Sequence, residues 1–195
     1  MSTPARHKSK LRQHLRHQRQ SLDLRTRRQA TRRINRNLYT LIRRNQRIGV
    51  YWAVGSELAL DDFIAAAHQR GAKLYLPYID SHQRRLWFTP LPPCPERAAG
   101  HHFGIPQFAG PKIRAHALHV LLVPLVGIDE RGFRLGQGGG YYDTTLTHIR
   151  HRLRPRLVGV GFACQQVPVL ATENHDQPLP AFVSEQGWQH FRTQF

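Results

Sequence analysis

The sequence predicts an α/β fold: an open, mostly parallel, Rossmann-like sheet flanked by helices, with two further helices at the N-terminus. Three observations predict it. A strand, a helix and a strand follow one another within residues 47–76, the βαβ unit that makes neighbouring strands parallel. Two near-continuous apolar runs, His119–Pro124 and Leu157–Phe162, have the composition of strands buried on both faces. Residues 1–46 hold no such run, only apolar residues at helical spacing.

Taken in order, Leu11, Leu15 and Leu22 form one stripe of an amphipathic helix and leave Arg12, Arg16 and Arg19 off it. Ala30, Ile34, Leu38 and Leu41 repeat the pattern in a second helix that starts near Thr26. Arg47–Val54 is β-branched and aromatic and reads as a strand. Asp61 caps a helix that runs to about Arg70, with Gly71 as its stop signal. Lys73–Leu76 is a second strand closed by Pro77, and Leu86–Thr89 a short one. Residues 90–118, rich in proline, glycine and histidine, read as a long loop region that serves a site or is mobile. His119–Pro124 is the central strand, followed by a helix from near Tyr141 to about Leu153 and the strand Leu157–Phe162. Val183 falls in a last edge strand. No repeat or linker divides the chain, so residues 1–195 are expected to form a single domain.

Composition narrows the class. Hydrophobic residues are 40% of the chain, enough for a core and too many for a disordered protein. The longest apolar stretch, His119–Ile128, contains Pro124 and Gly127 and is far short of the roughly 18 residues that span a bilayer. No membrane association is expected. Cys94 and Cys164 make no CxxC pair, which excludes a zinc ribbon, and sparse cysteine suits a reducing, cytoplasmic setting. The N-terminus lacks the apolar core of a secretory signal; it is as rich in arginine as a transit peptide, but its apolar spacing fits a permanent helix. Formal net charge is +17, and residues 1–47 carry fifteen of the 29 basic residues with a single acid, Asp23. A local basic field suits a polyanion, whether nucleotide, polyglutamylated ligand or nucleic acid; it also suits a solvated helix face, since only four of the basic residues are lysine.

The chemistry concentrates in residues 129–143, DERGFRLGQGGGYYD. Gly136, Gly138, Gly139 and Gly140 crowd between a strand and a helix N-terminus, where open amides and the helix dipole favour an anion. Arg134 stands where a guanidinium can clamp a phosphate, and Asp143 where a carboxylate can hold magnesium across two phosphates. The spacing is neither GxxxxGK[ST] nor GxGxxG, so a plain glycine hairpin stays open on chemistry alone. His101 and His102 have no partner spacing for a metal and read as exposed loop.

The same stretch resembles the signature of the 5-formyltetrahydrofolate cyclo-ligase family: a valine-proline strand end, an Asp, then G-x-R-L-G-x-G-x-G-Y-Y-D. Val123, Pro124, Asp129, Gly132, Arg134, Leu135, Gly136, Gly138, Gly140, Tyr141, Tyr142 and Asp143 match it. Lys8 and Arg12 in KSKLR, Glu57 after the first strand, Gly104–Gln107 (GIPQ), Gln166–Pro168 (QVP) and His175–Asp176 resemble further family elements in the same order. Gln137, Thr144 and Pro180 depart from the pattern, and Pro180 leaves a second metal-side carboxylate in doubt.

The resemblance implies an ATP- and Mg²⁺-dependent ligase, a monomer whose small-molecule substrates are ATP and 5-formyltetrahydrofolate, with or without a polyglutamate tail. It implies that Lys8, Arg12, Arg134, Leu135, Gly136, Gln137, Gly138, Gly139, Gly140, Tyr141 and Tyr142 bind ATP, with Arg134 and Lys8 catalytic. Trp52, Glu57, Phe103, Gly138, Gly139 and Tyr141 would meet the folate, and Asp143 with Asp176 the metal. Two other readings are an N-terminal nucleic-acid-binding surface, which leaves the glycine-tyrosine-aspartate string unexplained, and a relative acting on another folate or pterin. Nucleic acid is not the expected partner.

Overall fold

The computed structural model describes residues 4–80, 82–93, 100–102, 104–173 and 176–192. Two helices come first, α1 (Pro4–Gln20) and α2 (Leu24–Leu38). The Asp23 carboxylate accepts the N–H groups of Arg25 and Thr26, so α2 starts earlier than the apolar spacing predicts and Leu22 falls in the joint. Ala30, Ile34 and Leu38 are buried as expected, while Leu41 is buried from a short 3-10 turn, Tyr39–Leu41.

The β-strands are β1 (Arg47–Gly49), β2 (Lys73–Tyr78), β3 (Trp87–Pro90), β4 (Gly100–His102), β5 (Ile105–Gln107), β6 (Ile113–Arg114), β7 (Val120–Pro124), β8 (Gly127–Asp129), β9 (Arg134–Leu135), β10 (Arg156–Val160), β11 (Gln166–Val167), β12 (Ala181–Ser184) and β13 (Gly187–His190). Among the described residues an eight-stranded sheet runs β13-β12-β10-β7-β1-β2-β3-β6. Its centre, β12-β10-β7-β1-β2, is parallel throughout. In chain order these five strands lie 2-1-3-4-5, the doubly wound arrangement whose order reverses between β1 and β7. Ligands in such sheets bind beyond the strand ends at that reversal.

The βαβ unit forms as predicted, with α3 (Asp61–Gln69) between β1 and β2. Asp61 is not its cap. Leu60 holds that position, and the buried Asn35 of α2 accepts the Phe63 N–H instead. Gly71 takes φ +74° just beyond the helix, as a stop residue should. The expected strand Arg47–Val54 stops at Gly49. Pro77 does not close β2, which runs on to Tyr78 paired with β3; its pairing with β1 ends at Tyr75, where β1 itself stops. The region 90–118 is less irregular than predicted, since β4 pairs with β5 and β6 adds to β3. Val183 lies one strand in from the edge, which β13 occupies. Alternate residues of β7 serve opposite faces. Val120 and Leu122 join Ile34, Leu38 and Phe63 under α2 and α3, while Leu121 and Val123 join Leu146, Ile149 and Phe182.

Candidate active site

The chain does not pass straight from the central strand into the glycines. After β7 it builds the β8–β9 hairpin, which pairs with β11 in a small second sheet. The buried Asp129 carboxylate organises the hairpin. It accepts N–H groups from Arg131 (3.0 Å), Phe133 (2.9 Å) and Leu170 (3.1 Å) and pairs with the Arg131 guanidinium at 2.7 Å. This carboxylate therefore ties the glycine loop to the segment that leads to Glu173 and Asp176. The loop itself, residues 136–140, leaves β9 and enters α4 (Tyr141–Thr147). Gly138 at φ +104° and Gly140 at φ +73° hold left-handed conformations that side-chain-bearing residues adopt only with strain. The helix is shorter than the predicted span to Leu153, which is fully exposed and has no core to join. So short a helix adds little dipole. The loop amides and nearby cations must carry the charge of any anion.

Those cations come from α1. Lys8, Arg12, Arg16 and Arg19 share one helix face, and that face lies over the loop. Arg12 Nε donates to the Gly136 carbonyl at 2.8 Å. Arg16 donates to Gln137 Oε1, and Gln137 Nε2 donates to Glu57 Oε1 at 2.6 Å. Lys8 Nζ donates to Glu173 Oε1 at 2.8 Å and to Asp176 Oδ2 at 3.3 Å. Desolvation lowers the Lys8 pKa, but the two carboxylates outweigh it and leave the ammonium above its usual value. Arg19, read from the sequence as off the stripe, is 3% exposed.

Arg134 and Asp143 meet directly. Arg134 Nη2 lies 2.6 Å from Asp143 Oδ1, and the arginine side chain is buried while the carboxylate keeps 31% of its surface. Burial pulls the Arg134 pKa down against the pull of Asp143. The Arg134 Nε and the Tyr142 hydroxyl are buried and have no hydrogen-bond partner among the described residues, and burial pushes the Tyr142 phenol far above its ordinary value. A Cβ at Gly136 would sit 2.8 Å from Arg134 Nη1, so a side chain there would push the guanidinium aside.

The loop is the common wall of two cavities. One, of about 300 Å³, is lined by Lys8, Arg12, Arg84, Arg134, Asp143, Glu173 and Asp176 with Leu135 and the loop glycines. The other, of about 560 Å³, is lined by Tyr51, Trp52, Glu57, Ile79, Ile105, Tyr141 and Tyr142 together with Arg19 and Gln137. The first is charged and the second mainly apolar and aromatic. Lys8, Arg12, Leu135 and Asp176 fall on the charged side, Trp52, Glu57, Gln137, Gly139, Tyr141 and Tyr142 on the aromatic side, and Arg134, Gly136, Gly138, Gly140 and Asp143 on both. Phe103 lies outside the described residues. The sequence reading did not single out Arg84, Tyr51 or Arg19 as site residues, and gave Glu173 only as the start of a family element. Only for Arg19 was there a signal, the basic spacing 8, 12, 16, 19 that puts four cations on one helix face.

Comparison with known proteins places this geometry. The model of the 5-formyltetrahydrofolate cyclo-ligase family matches residues 4–185. The 5-formyltetrahydrofolate cyclo-ligase of Haemophilus influenzae is 32% identical over 162 residues, 77% of this chain and 83% of the relative. Among solved structures, the 5,10-methenyltetrahydrofolate synthetase of Aquifex aeolicus superposes with a TM-score of 0.80 at 25% identity, covering 96% of this chain and 94% of the other. That of Mycoplasma pneumoniae superposes at 0.73 with 21% identity, over 91% and 98% of the two chains, and shows the shared fold. With the family pattern matched from the α1 cations to the strands beyond the glycine loop, this chain belongs to the 5-formyltetrahydrofolate cyclo-ligase family of enzymes.

Proposed function

We propose that the protein converts 5-formyltetrahydrofolate and ATP to 5,10-methenyltetrahydrofolate, ADP and phosphate. One observation carries the reading: the glycine loop separates a cationic cavity suited to a triphosphate from an aromatic cavity suited to a pterin. A γ-phosphate on one side of the loop then stands near a formyl group on the other. The formyl oxygen attacks the γ-phosphorus and releases ADP. Nitrogen 10 attacks the activated formyl carbon, the ring closes, and phosphate departs with the former formyl oxygen while the N10 proton is lost. Chemistry of this kind is catalysed mainly by positioning and charge neutralisation.

The residues divide accordingly. The amides of Gly136–Tyr142, with Lys8, Arg12 and Arg134, hold the phosphates. Trp52 and Tyr141 wall the pterin, and Glu57 accepts its ring N–H groups. Arg134 bridges the two sides, because it lines both cavities. Among the described residues no three His, Cys, Asp or Glu side chains form a cage for a metal. Asp143 is engaged by Arg134 through Oδ1 only, and Asp176 lines the same cavity. That donor set fits magnesium, which takes one or two carboxylates and completes its shell with phosphate oxygens and water. Bound there, Mg²⁺ supplies neutralisation of the phosphate charge. The test is the absorbance of the methenyl product, followed with ATP and Mg²⁺ together and with each omitted. Turnover is expected only with both, and a folded sample without turnover refutes the reading.

A further inference from the structure

Arg19 is a buried cation whose guanidinium is only partly engaged by the protein. It sits in the last turn of α1, is 3% exposed, and lines the aromatic cavity with Tyr51, Trp52, Glu57 and Tyr141. Its Nε donates to Ser56 Oγ at 3.0 Å, and among the described residues its Nη1 and Nη2 have no hydrogen bond or ion pair. The neighbouring Arg27 shows what a purely structural arginine does here. It donates to the carbonyls of Arg19, Ser56 and Glu57 and lies over the Phe162 ring, so it clamps the loop under α1. With Arg27 in that role, the open Nη1 and Nη2 of Arg19 are donors at the cavity wall, where an electron-rich ligand oxygen can accept from them. Burial does depress the Arg19 pKa, and the charge of Glu57 only partly offsets it.

Glu57 is the complement. Its Oε1 accepts from Gln137 and its Oε2 from the Val54 N–H, and each oxygen keeps a further lone pair. Glu57 and Arg19 make no direct ion pair, although the charge of Glu57 acts on Arg19. A carboxylate and a guanidinium held apart on one cavity wall match an edge that offers two donors beside an acceptor. The 2-amino, N3–H and 4-oxo groups of a pterin make such an edge. We propose that Arg19 is a specificity-determining residue that donates to the pterin 4-oxo oxygen while Glu57 accepts the 2-amino and N3 hydrogens. This rests on the folate reading above.

The experiment compares binding of 5-formyltetrahydrofolate and its 4-amino-4-deoxy counterpart by calorimetry in the wild type, Arg19→Met, Arg19→Gln and Ser56→Ala, with KM for folate and for ATP measured alongside. Arg19→Met should weaken 5-formyltetrahydrofolate binding by about 10- to 100-fold, the loss of a charge-assisted hydrogen bond. It should affect the 4-amino compound much less and leave KM for ATP unchanged. If Arg19→Met does not fold, Arg19→Gln, which keeps an amide able to reach Ser56, is expected to behave the same way. Ser56→Ala, which removes only the anchoring bond, should retain the preference. An unchanged preference in a folded Arg19 variant overturns the assignment, as does an equal rise in both KM values. Wild-type protein that binds neither folate overturns the parent reading as well.

Discussion

At the scale of single residues, the buried Arg134 guanidinium and the Asp143 carboxylate neutralise one another at 2.6 Å. On the proposed reading, phosphate would take over the guanidinium and magnesium the carboxylate. Arg134→Ala or Asp143→Ala is expected to reduce kcat by about 10²- to 10³-fold, the usual loss when one preorganised charge partner is removed. The melting transition should stay cooperative in both variants, and full activity in both would refute the site. Lys8 differs in kind, since it enters from another element and bonds Glu173 and Asp176. Lys8→Ala should raise KM for ATP by about tenfold with a smaller effect on kcat. An unchanged ATP requirement in steady-state kinetics would remove Lys8 from the phosphate side.

At the scale of elements, α1 covers the glycine loop. Leu15 and Leu11 pack it down beside the contacts of its charges. Leu15 is 1% exposed and packs with Val126, Leu135 and Leu170 on the small sheet that carries the glycine loop. The fit is close enough that a Cβ at Gly127 would come within 2.5 Å of Leu15 Cδ1. Leu15→Ala is expected to destabilise the fold by about 2–5 kcal/mol. It should also raise KM for ATP, because the same helix positions Lys8 and Arg12. Denaturant melts combined with ATP kinetics check both halves, and lost stability without a change in KM would separate the packing from the site.

At the scale of the whole molecule, the site lies where the parallel strand order reverses, so residues from opposite ends of the chain converge without any long loop being required. The excess positive charge follows the same geography. One arginine face of α1 covers the loop, while Arg25, Arg28, Arg32 and Arg36 of α2 are exposed and have no acidic partner among the described residues. Stability should fall in mild acid. Burial holds His68 and His119 below the ordinary value of 6.5, and Arg47 and Arg154 add to this at His119. The unfolded chain therefore binds more protons as pH drops through 6.5, and stability is lost toward the lower folded values. Melting temperature should decline between about pH 7.5 and 5.5, and His119→Gln should flatten the decline. An equal slope in that variant would exclude His119. Asp23 and Asp80, whose carboxyls are held low by hydrogen bonds, act only in stronger acid.

The sequence alone determined the βαβ start, the buried strands β7 and β10 and the glycine loop, because each depends on local information: apolar runs, helical spacing, and glycines where the backbone must bend or let a ligand approach. It also marked Lys8, Arg12, Arg134 and Asp143 as site candidates, through the resemblance to a family motif, and the fold brings all four to one cavity. It did not show that Asp129 is a turn builder, that Glu173 and Arg84 share a cavity with Lys8, or that Arg19 is buried. Those facts depend on which surfaces meet. An arginine reads the same in a sequence whether its helix face meets water or a loop 37 residues away, and only the docking of α1 on the small sheet decides between them.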